Sequence, residues 1–249
     1  DNITKKTKAI IVVSLNGRSP KIDKILSIAS KYGLKVIEDA AQAFGSKYKG
    51  KYIGTFGDIG SFSLSFPKII TTGQGGIVVT DNIKLYEKMR MIKDFGRFQA
   101  GVDNHEYMGY NFKYTDLQAI IGIEQMKTID WRIKKKKEIY QKYFDLLKNV
   151  EEIKFIKTNL NDTTPWFIDI IVNNPKQRDD LSLYLKEKMI YTRPFYPSIH
   201  TQKPYLNSGT FINSLNVSQR GLWLPSSFNL NIEDIELICH EIKSFFNNN

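Results

Sequence analysis

The stretch at residues 8–40, "KAIIVVSLNGRSPKIDKILSIASKYGLKVIEDA", decides the fold. Its opening run "AIIVV" is apolar and β-branched and ends at a turn signal, which is typical of a short buried strand. The middle predicts a helix, with Ser19 as N-cap, Pro20 in the first turn and Gly33 as C-terminal cap. "LKVIEDA" at 34–40 predicts a second strand. Strand, helix and strand form a βαβ unit, which implies a parallel sheet.

Asp39 lies at the carboxyl end of the second strand of this unit. Open α/β sheets bind their ligands at that edge. Two further apolar runs, at 58–66 and 75–81, predict strands on either side of a loop that carries Lys68. The sequence therefore places this lysine in a loop between two strands, and we expect these strands to belong to the sheet that contains the Asp39 strand.

After these strands, the sequence predicts three helices, with one long loop between the first and the second. Apolar residues recur at helical spacing over 82–96, 115–129 and 130–150, and Thr115 is a suitable N-cap for the second of these helices. The connection at 97–114 is polar and aromatic, and loops of that length in compact proteins are often functional. This loop is therefore a candidate part of a functional site.

The last part of the chain predicts a second region with its own strand and helices. Its elements are a strand, two helices and a loop rich in proline and aromatic residues, at 165–172, 175–189, 231–246 and 190–205. We place the domain boundary near residue 130, which divides the chain into domains 1–130 and 131–249.

The composition is that of a globular protein and argues against several classes. Apolar residues make up 41% and charged residues 25% of the 249 positions, which is ordinary for a globular domain. No apolar run reaches the roughly 18–20 residues that span a bilayer, and the single cysteine, Cys239, rules out an internal disulfide and a cysteine-based metal site. The chain opens with charged and polar residues, unlike a secretory signal. We expect a cytoplasmic protein with no membrane partner and no metal.

The net charge of +10 raises the question of a nucleic-acid partner. The most basic stretch, "RIKKKK" at 132–137, runs into a segment with helical apolar spacing, so these lysines are expected on a solvated helix face. No nucleic-acid motif accompanies them. We therefore expect no nucleic-acid partner; a nucleic-acid binder would show strongly salt-dependent affinity.

The three glycines that follow Lys68, at 73, 75 and 76, do not form a nucleotide-binding loop. A dinucleotide fingerprint ends a strand and opens a helix, and a Walker loop needs G-x-x-x-x-G-K-[ST]. Here "GQGG" precedes the predicted strand "IVVT". The glycines therefore predict a tight turn that returns the chain to the sheet.

Lys68 has neighbours along the chain that suit pyridoxal phosphate (PLP) chemistry. A lysine becomes a useful nucleophile when a desolvated site lowers its pKa, and it then condenses with carbonyls such as that of PLP. PLP also needs a carboxylate at its pyridine nitrogen, a polar group at its ring hydroxyl, and hydroxyls or N–H groups at its phosphate. Asp39, Gln42 and Ser63 offer these groups. Each residue alone is unspecific, so their joint order in one α/β segment is the signal.

The stretch at 36–82 resembles the signature core of the DegT-like nucleotide-sugar aminotransferases, PLP enzymes of the aspartate-aminotransferase fold. The matching motifs are "EDAAQA", "GDIGSFS", Lys68 and "TTGQGGIVVTDN", followed by "GYNFKYTDLQAIIG" at 109–122. The resemblance continues more loosely over nearly the whole chain. It implies an α/β large domain of three layers with a mostly parallel sheet, here incomplete, and a smaller α+β C-terminal domain.

The resemblance also implies a role for each matching residue. Lys68 would form the Schiff base with PLP and move the proton during amino transfer. Asp39 would face the pyridine nitrogen, Gln42 would lie near the ring oxygen or the ring face, and Ser63 would bind the phosphate. Asn111 would reach the phosphate of a neighbouring subunit, because this family assembles its sites across a homodimer interface.

Candidate substrate contacts lie in the loop of the second domain. The family's substrates carry a diphosphate, which a guanidinium group binds in bidentate fashion. Arg193 is therefore a candidate contact, with Tyr196 and His200 in the same loop. The alternatives are that Arg193 packs on aromatic residues and that His200 bonds to the backbone. Trp166 and Trp223 are expected in the core.

The implied reaction is transfer of an amino group from L-glutamate, through PLP, to a nucleotide-linked 6-deoxy sugar with a keto group at C4 or C3. Such a reaction serves amino-sugar and polysaccharide biosynthesis. Sugar dehydratases among the relatives carry histidine in place of the lysine, so Lys68 argues against dehydration.

A function of another class stays open. Family members begin earlier than this chain, which is expected to lack the N-terminal third with its phosphate loop and its ring-stacking aromatic residue. The alternative function is therefore that of a non-catalytic fragment with the same fold that binds or regulates. We expect the chain by itself to bind PLP weakly or not at all.

Overall fold

The computed structural model describes residues 2–205 and 209–247, which fall into two compact units. The first unit comprises the chain up to Ile133 together with Asn159–Trp166. The second comprises Lys134–Thr158 and the residues from Phe167 onward. Across the described ranges, no helix combines the length and the apolar character that a membrane crossing requires.

The first unit is built on a mixed sheet. In chain order, its elements are β1 (Ala9–Val13), α1 (Ile22–Tyr32), β2 (Lys35–Asp39), β3 (Lys47–Tyr48), β4 (Lys51–Tyr52), β5 (Ile59–Ser63), β6 (Gly76–Val79), α2 (Ile83–Lys93), α3 (Asp116–Met126) and α4 (Ile129–Leu147), which continues into the second unit. The sheet order is β1-β2-β5-β6. Strands β1, β2 and β5 are parallel, and β6 pairs antiparallel with β5. The predicted βαβ unit and mostly parallel sheet are confirmed.

The ends of α1 and α3 confirm two of the three predicted capping residues. Gly33 ends α1 in the left-handed conformation, with φ of 62°, as predicted. Ser19 does not cap the helix, because α1 begins only at Ile22 and the Ser19 hydroxyl donates instead to the carbonyl of Pro20. Thr115 caps α3 as expected, in a reciprocal capping box with Gln118.

A buried carboxylate, Glu38 in β2, holds the loop that follows β4. Glu38 is 2% exposed, and its two oxygens accept the backbone N–H groups of Gly54 at 2.8 Å, Phe56 at 2.6 Å and Gly57 at 2.7 Å. A buried charge is costly unless it is hydrogen-bonded. These three donors satisfy it, and the loop beside the Asp39 strand is thereby tied to the sheet.

We expect Glu38→Gln to lower the free energy of unfolding by about 1–3 kcal/mol, because an NH2 group then faces a backbone donor. Urea unfolding followed by circular dichroism measures the change. Glu87→Gln, at an exposed position of α2, makes the same chemical change and should stay within about 0.5 kcal/mol of wild type. Equal losses in the two variants would contradict the role given to Glu38.

The second unit is a small α+β structure. In chain order, its further elements are β7 (Ile153–Phe155), β8 (Ile168–Val172), α5 (Pro175–Glu187), β9 (Arg193–Pro194), α6 (Ile212–Arg220), β10 (Gly221–Leu224) and α7 (Ile232–Asn247). The sheet order is β7-β8-β10-β9, and each of these pairs is antiparallel. The predicted α+β character of this part of the chain is confirmed.

One lysine of the basic stretch in α4 is buried rather than solvated. Lys136 is 5% exposed, its ammonium donates to the carbonyl of Ser226, and it lies 4.9 Å from the ring centroid of Phe228. Burial lowers its pKa from 10.5 to about 8. The expectation that the whole stretch lies on a solvated face is therefore wrong for Lys136.

The lowered pKa of Lys136 makes stability depend on pH. Between pH 8 and 10.5 the unfolded chain keeps a proton on this lysine that the folded chain has released, so stability rises with pH. The shift corresponds to about 3 kcal/mol. We expect the unfolding free energy of Lys136→Met minus that of wild type to be largest below pH 8 and to fall by about this amount towards pH 10.5.

Taking this difference cancels ionisations common to both proteins, such as that of Cys239, whose pKa burial raises to about 12. Urea unfolding at several pH values supplies the measurement. Lys134→Met, at an exposed position of α4, is the matched control and should give a difference that does not vary with pH. A flat difference for Lys136→Met as well would contradict the prediction.

Candidate active site

The sheet brings the predicted chemistry of the first unit to one edge. Strands β2 and β5 are parallel neighbours, with Asp39 opposite Ser61. Asp39 is the last residue of β2 and Ser63 the last of β5. Both side chains therefore leave the carboxyl ends of adjacent strands, and the loop between Ser63 and Gly76 carries Lys68.

Asp39 is half-buried and held by the turn that follows it. The backbone N–H of Ala41 donates to its Oδ1 at 3.0 Å, which is the Asx-turn arrangement typical of a residue leaving a strand. Burial lowers the pKa of Lys68, and the negative charge of Asp39 opposes that shift. The carboxylate and the amine are thus neighbours within one site.

Gln42 connects this edge of the sheet to the turn after β1. Its Oε1 accepts the backbone N–H of Asn16 at 2.8 Å. Asn16 is buried and has a left-handed backbone, with φ of 50°. Because the oxygen of Gln42 is engaged by Asn16, its amide NH2 is the group it offers to an oxygen atom of a ligand.

A second hydroxyl, that of Ser65, lies beside Ser63 and is not among the predicted site residues. The Oγ atoms of Ser63 and Ser65 lie 3.0 Å apart, and the backbone N–H of Ser65 donates to Ser63 Oγ at 3.3 Å. The alternation in "SFSLS" at 61–65 was a usable signal, since residues two apart in a strand share a face. The two hydroxyls make a small polar group suited to an anion.

Lys68 is half-buried, with its ammonium on the face of a tryptophan. Its Nζ lies 3.5 Å from the ring centroid of Trp166. Burial lowers the pKa of Lys68 from 10.5 to about 8, while the charge of Asp39 opposes that shift. A lower pKa leaves more of the amine neutral near neutral pH, and the neutral amine is the form that acts as nucleophile and base.

Three distant side chains hold the backbone of the Lys68 loop. The indole Nε1 of Trp166 donates to the carbonyl of Pro67 at 2.7 Å. Arg132 donates to the carbonyl of Ile69 at 3.2 Å, and Gln125 bonds both the N–H and the carbonyl of Thr71, at 3.0 and 2.6 Å. The sequence predicts no role for Arg132 or Gln125 and places Trp166 only in the core. No local sequence signal points to these contacts.

The glycines after Lys68 form the predicted tight turn. Gly73 and Gly75 have φ of +79° and +144°, values that favour glycine. A Cβ at Gly75 would approach the ring of Tyr114 to 2.5 Å, and the Tyr114 hydroxyl donates to that of Thr72. The turn therefore needs glycine both for its backbone angles and for close packing.

Asn111 lies in the exposed part of the long loop. It forms an isolated antiparallel bridge with Asp94, beside the exposed side chains of Met108, Tyr110 and Phe112. The predicted approach of Asn111 to a neighbouring subunit stays a prediction, since a single chain is described.

The remaining candidates, Arg193, Tyr196 and His200, belong to the second unit. The guanidinium carbon of exposed Arg193 lies 5.1 Å from the ring centroid of Tyr196 and 5.8 Å from that of Trp223, so this arginine does pack on aromatic rings. The ring of His200 lies 4.8 Å from that of Phe211. His200 and Phe211 line an open cleft of about 340 Å³.

The polar side chains at this edge of the first unit fit PLP. It comprises a carboxylate at Asp39, an amide at Gln42, two neighbouring hydroxyls at Ser63 and Ser65, and an amine of lowered pKa at Lys68. These are the groups that a pyridine nitrogen, a ring oxygen, a phosphate and an aldehyde require.

Comparison with known proteins supports the same interpretation. Residues 1–243 match the model of the DegT/DnrJ/EryC1/StrS aminotransferase family. The chain is 38% identical to the GDP-perosamine synthase of Escherichia coli O157:H7, over 98% of this chain and 67% of that protein. It is 33% identical to the putative pyridoxal phosphate-dependent aminotransferase EpsN of Bacillus subtilis (strain 168), over 94% of this chain and 63% of that protein.

A solved structure shows the same fold. PseC of Helicobacter pylori, an aminotransferase involved in the biosynthesis of pseudoaminic acid, matches 100% of this chain with a TM-score of 0.93 and 24% identity. The chain covers 69% of PseC, so it spans about two thirds of the length of the proteins it resembles. The predicted resemblance and fold are confirmed, and the chain belongs to the DegT/DnrJ/EryC1/StrS aminotransferase family.

Proposed function

We propose that the protein uses PLP to transfer an amino group from L-glutamate to the keto group of a nucleotide-linked sugar. The observation that carries the proposal is the pairing of Lys68, with its lowered pKa, and Asp39 at the carboxyl edge of the sheet. The family match and the names of the relatives support the same activity.

In this proposal the first unit holds the cofactor. Asp39 would keep the pyridine nitrogen protonated, the Gln42 amide would donate to the ring oxygen, and the hydroxyls of Ser63 and Ser65 would donate to the phosphate. When bound, PLP supplies the electron sink that stabilises negative charge at the carbon bearing the amino group. Because these residues follow successive strands of one sheet, they are held before any ligand arrives.

Lys68 has two tasks in this site. Its amine would hold the cofactor and, once free, would take the proton from the α-carbon of the amino donor and deliver it to the carbon of the cofactor. A general base works best when its pKa lies near the working pH. Burial of Lys68 moves its pKa from 10.5 to about 8 and so brings it into that range.

The substrate we propose is a GDP-linked 6-deoxy sugar with a keto group at C4 or C3. The GDP moiety is suggested by the name of the 38% identical relative, GDP-perosamine synthase. Arg193 is exposed, and its guanidinium carbon lies 5.1 and 5.8 Å from the ring centroids of Tyr196 and Trp223. These contacts limit its motion, and its exposed N–H groups can bind a phosphate. Tyr196 and His200 are further candidate contacts in the same unit.

We further propose that the active protein is a homodimer in which Asn111 serves the site of the partner. Support comes from the exposed apolar and aromatic residues around Asn111, including Met108 and Phe112, since such clusters on a monomer often mark interfaces.

The experiment that tests this function is an amino-transfer assay of the protein that contains this chain. It is incubated with PLP, L-glutamate and a panel of keto sugars linked to GDP, UDP or dTDP, and 2-oxoglutarate and the mass of the amino sugar are measured. We expect turnover with a GDP-linked keto sugar. Turnover only with another nucleotide would reject the GDP assignment, and failure with every sugar would reject the proposed function.

A further inference from the structure

Trp166 contacts the Lys68 loop at two points, the carbonyl of Pro67 and the ammonium of Lys68. The tryptophan is 3% exposed. Its indole N–H donates to the carbonyl of Pro67 at 2.7 Å, and the face of its ring lies 3.5 Å, measured to the centroid, from the ammonium of Lys68. One side chain therefore holds both the backbone just before the lysine and the reactive atom at the end of the lysine.

The ring contact is close enough to matter for the amine. A cation within about 6 Å of an aromatic centroid is attracted by the ring, and tryptophan is the strongest such partner. The ring also covers one face of the ammonium and keeps water from it. These effects act on the pKa in opposite directions, because attraction favours the charged form and loss of water disfavours it.

We expect the loss of water to outweigh the attraction to the ring. The pKa of Lys68 is lowered, with burial as the largest cause. The indole ring, whose centroid lies 3.5 Å from the ammonium, contributes to that burial. Removal of the ring should therefore admit water and raise the pKa of the amine.

We propose that Trp166 is a positioning residue for Lys68, which holds the unbonded ammonium against its indole ring and shields one face of it from water. Only the purpose of this contact rests on the proposed function. That purpose is to keep the Lys68 amine beside the site between holding the cofactor and moving the proton. The contact itself is given by the positions of the two side chains.

The first test asks whether the contact exists in solution. The cofactor-free protein is reductively methylated with 13C-formaldehyde, and the Lys68 resonance is assigned by its absence in Lys68→Arg. A methylated amine above an indole ring is shifted upfield by the ring current, away from the resonances of exposed lysines. A Lys68 resonance that falls among the exposed lysines of the wild-type protein would overturn the inference without any tryptophan variant.

The second test follows the pH dependence of Lys68 acylation, read by peptide mass spectrometry. Trp166→Phe keeps an aromatic face and should leave the midpoint near that of wild type. Trp166→Leu should raise it, and a rise of one unit from about 8 would reduce the neutral fraction at pH 8 from a half to about a tenth. Trp131→Leu, at an exposed tryptophan of the same unit, is the control and should leave the midpoint unchanged.

An unchanged or lowered midpoint in Trp166→Leu, with circular dichroism that matches wild type, overturns the inference. Both tests follow the amine rather than turnover, so their outcome is independent of the transfer assay. If the tryptophan effect is found but no amino group is transferred, only the proposed function is rejected. If amino transfer is found but the tryptophan effect is not, only the inference about Trp166 is rejected.

Discussion

Lys68→Ala is expected to abolish amino transfer, with kcat/KM reduced by more than about 10⁴-fold, because the same amine carries the cofactor and moves the proton. No other lysine described in the structure has both a half-buried position beside Asp39 and a ring beneath its ammonium. The measurement is the rate of 2-oxoglutarate release at saturating glutamate and keto sugar, with the protein loaded with excess PLP.

Two comparisons separate loss of this amine from a general loss of structure. Lys84→Ala, at an exposed position of α2, should keep the wild-type rate. Added methylamine should restore part of the rate of Lys68→Ala, since a small amine can enter the space left by the side chain and carry the proton. Wild-type turnover in Lys68→Ala would refute the catalytic assignment of Lys68.

Asp39→Asn has the second largest expected effect, a fall of about 10²–10³-fold in kcat. The range is that for removal of one preorganised group that stabilises developing charge. The amide is neutral and cannot keep a pyridine nitrogen protonated, yet its oxygen can still accept the N–H of Ala41 that Asp39 Oδ1 accepts now at 3.0 Å. The fold should therefore be preserved, and the loss should appear in steady-state kinetics as a change in kcat.

The same variant has an independent signature on Lys68. The charge of Asp39 raises the pKa of that amine, so its removal should lower the acylation midpoint of Lys68 below the wild-type value. Asp81→Asn, at an exposed position between β6 and α2, removes an equal charge and should leave both kcat and the midpoint unchanged. A Lys68 midpoint that does not fall in Asp39→Asn would contradict the pairing of the two groups.

Local sequence patterns predicted the first unit well because its strands and helices have strong periodic and capping signals. The βαβ unit, the Gly33 cap, the Thr115 cap and the glycine turn after Lys68 all appear in the structure. The Ser19 cap failed because helix α1 starts two residues after Pro20. A good capping residue near a helical pattern does not determine where the first turn begins.

Burial was less predictable than secondary structure. The basic stretch in α4 looks solvated from its composition, yet Lys136 reaches the Ser226 carbonyl, 90 positions later in the chain. Its burial depends on which face of the helix meets the rest of the second unit. Likewise, helix α6 and strand β10 fall in a part of the chain for which no element was predicted, because "GLWL" follows the polar helix without a turn signal.

What the sequence by itself determined is the kind of chemistry and its place on the sheet. Asp39 and Ser63 end predicted strands and Lys68 follows in the next loop, and parallel strands bring their carboxyl ends to one edge. Only the tertiary structure decided what surrounds Lys68. Trp166 contacts the Lys68 loop although it lies 99 positions after Pro67 in the chain. Contacts at such separation leave no periodic pattern in the local sequence, because they depend on how separate elements pack.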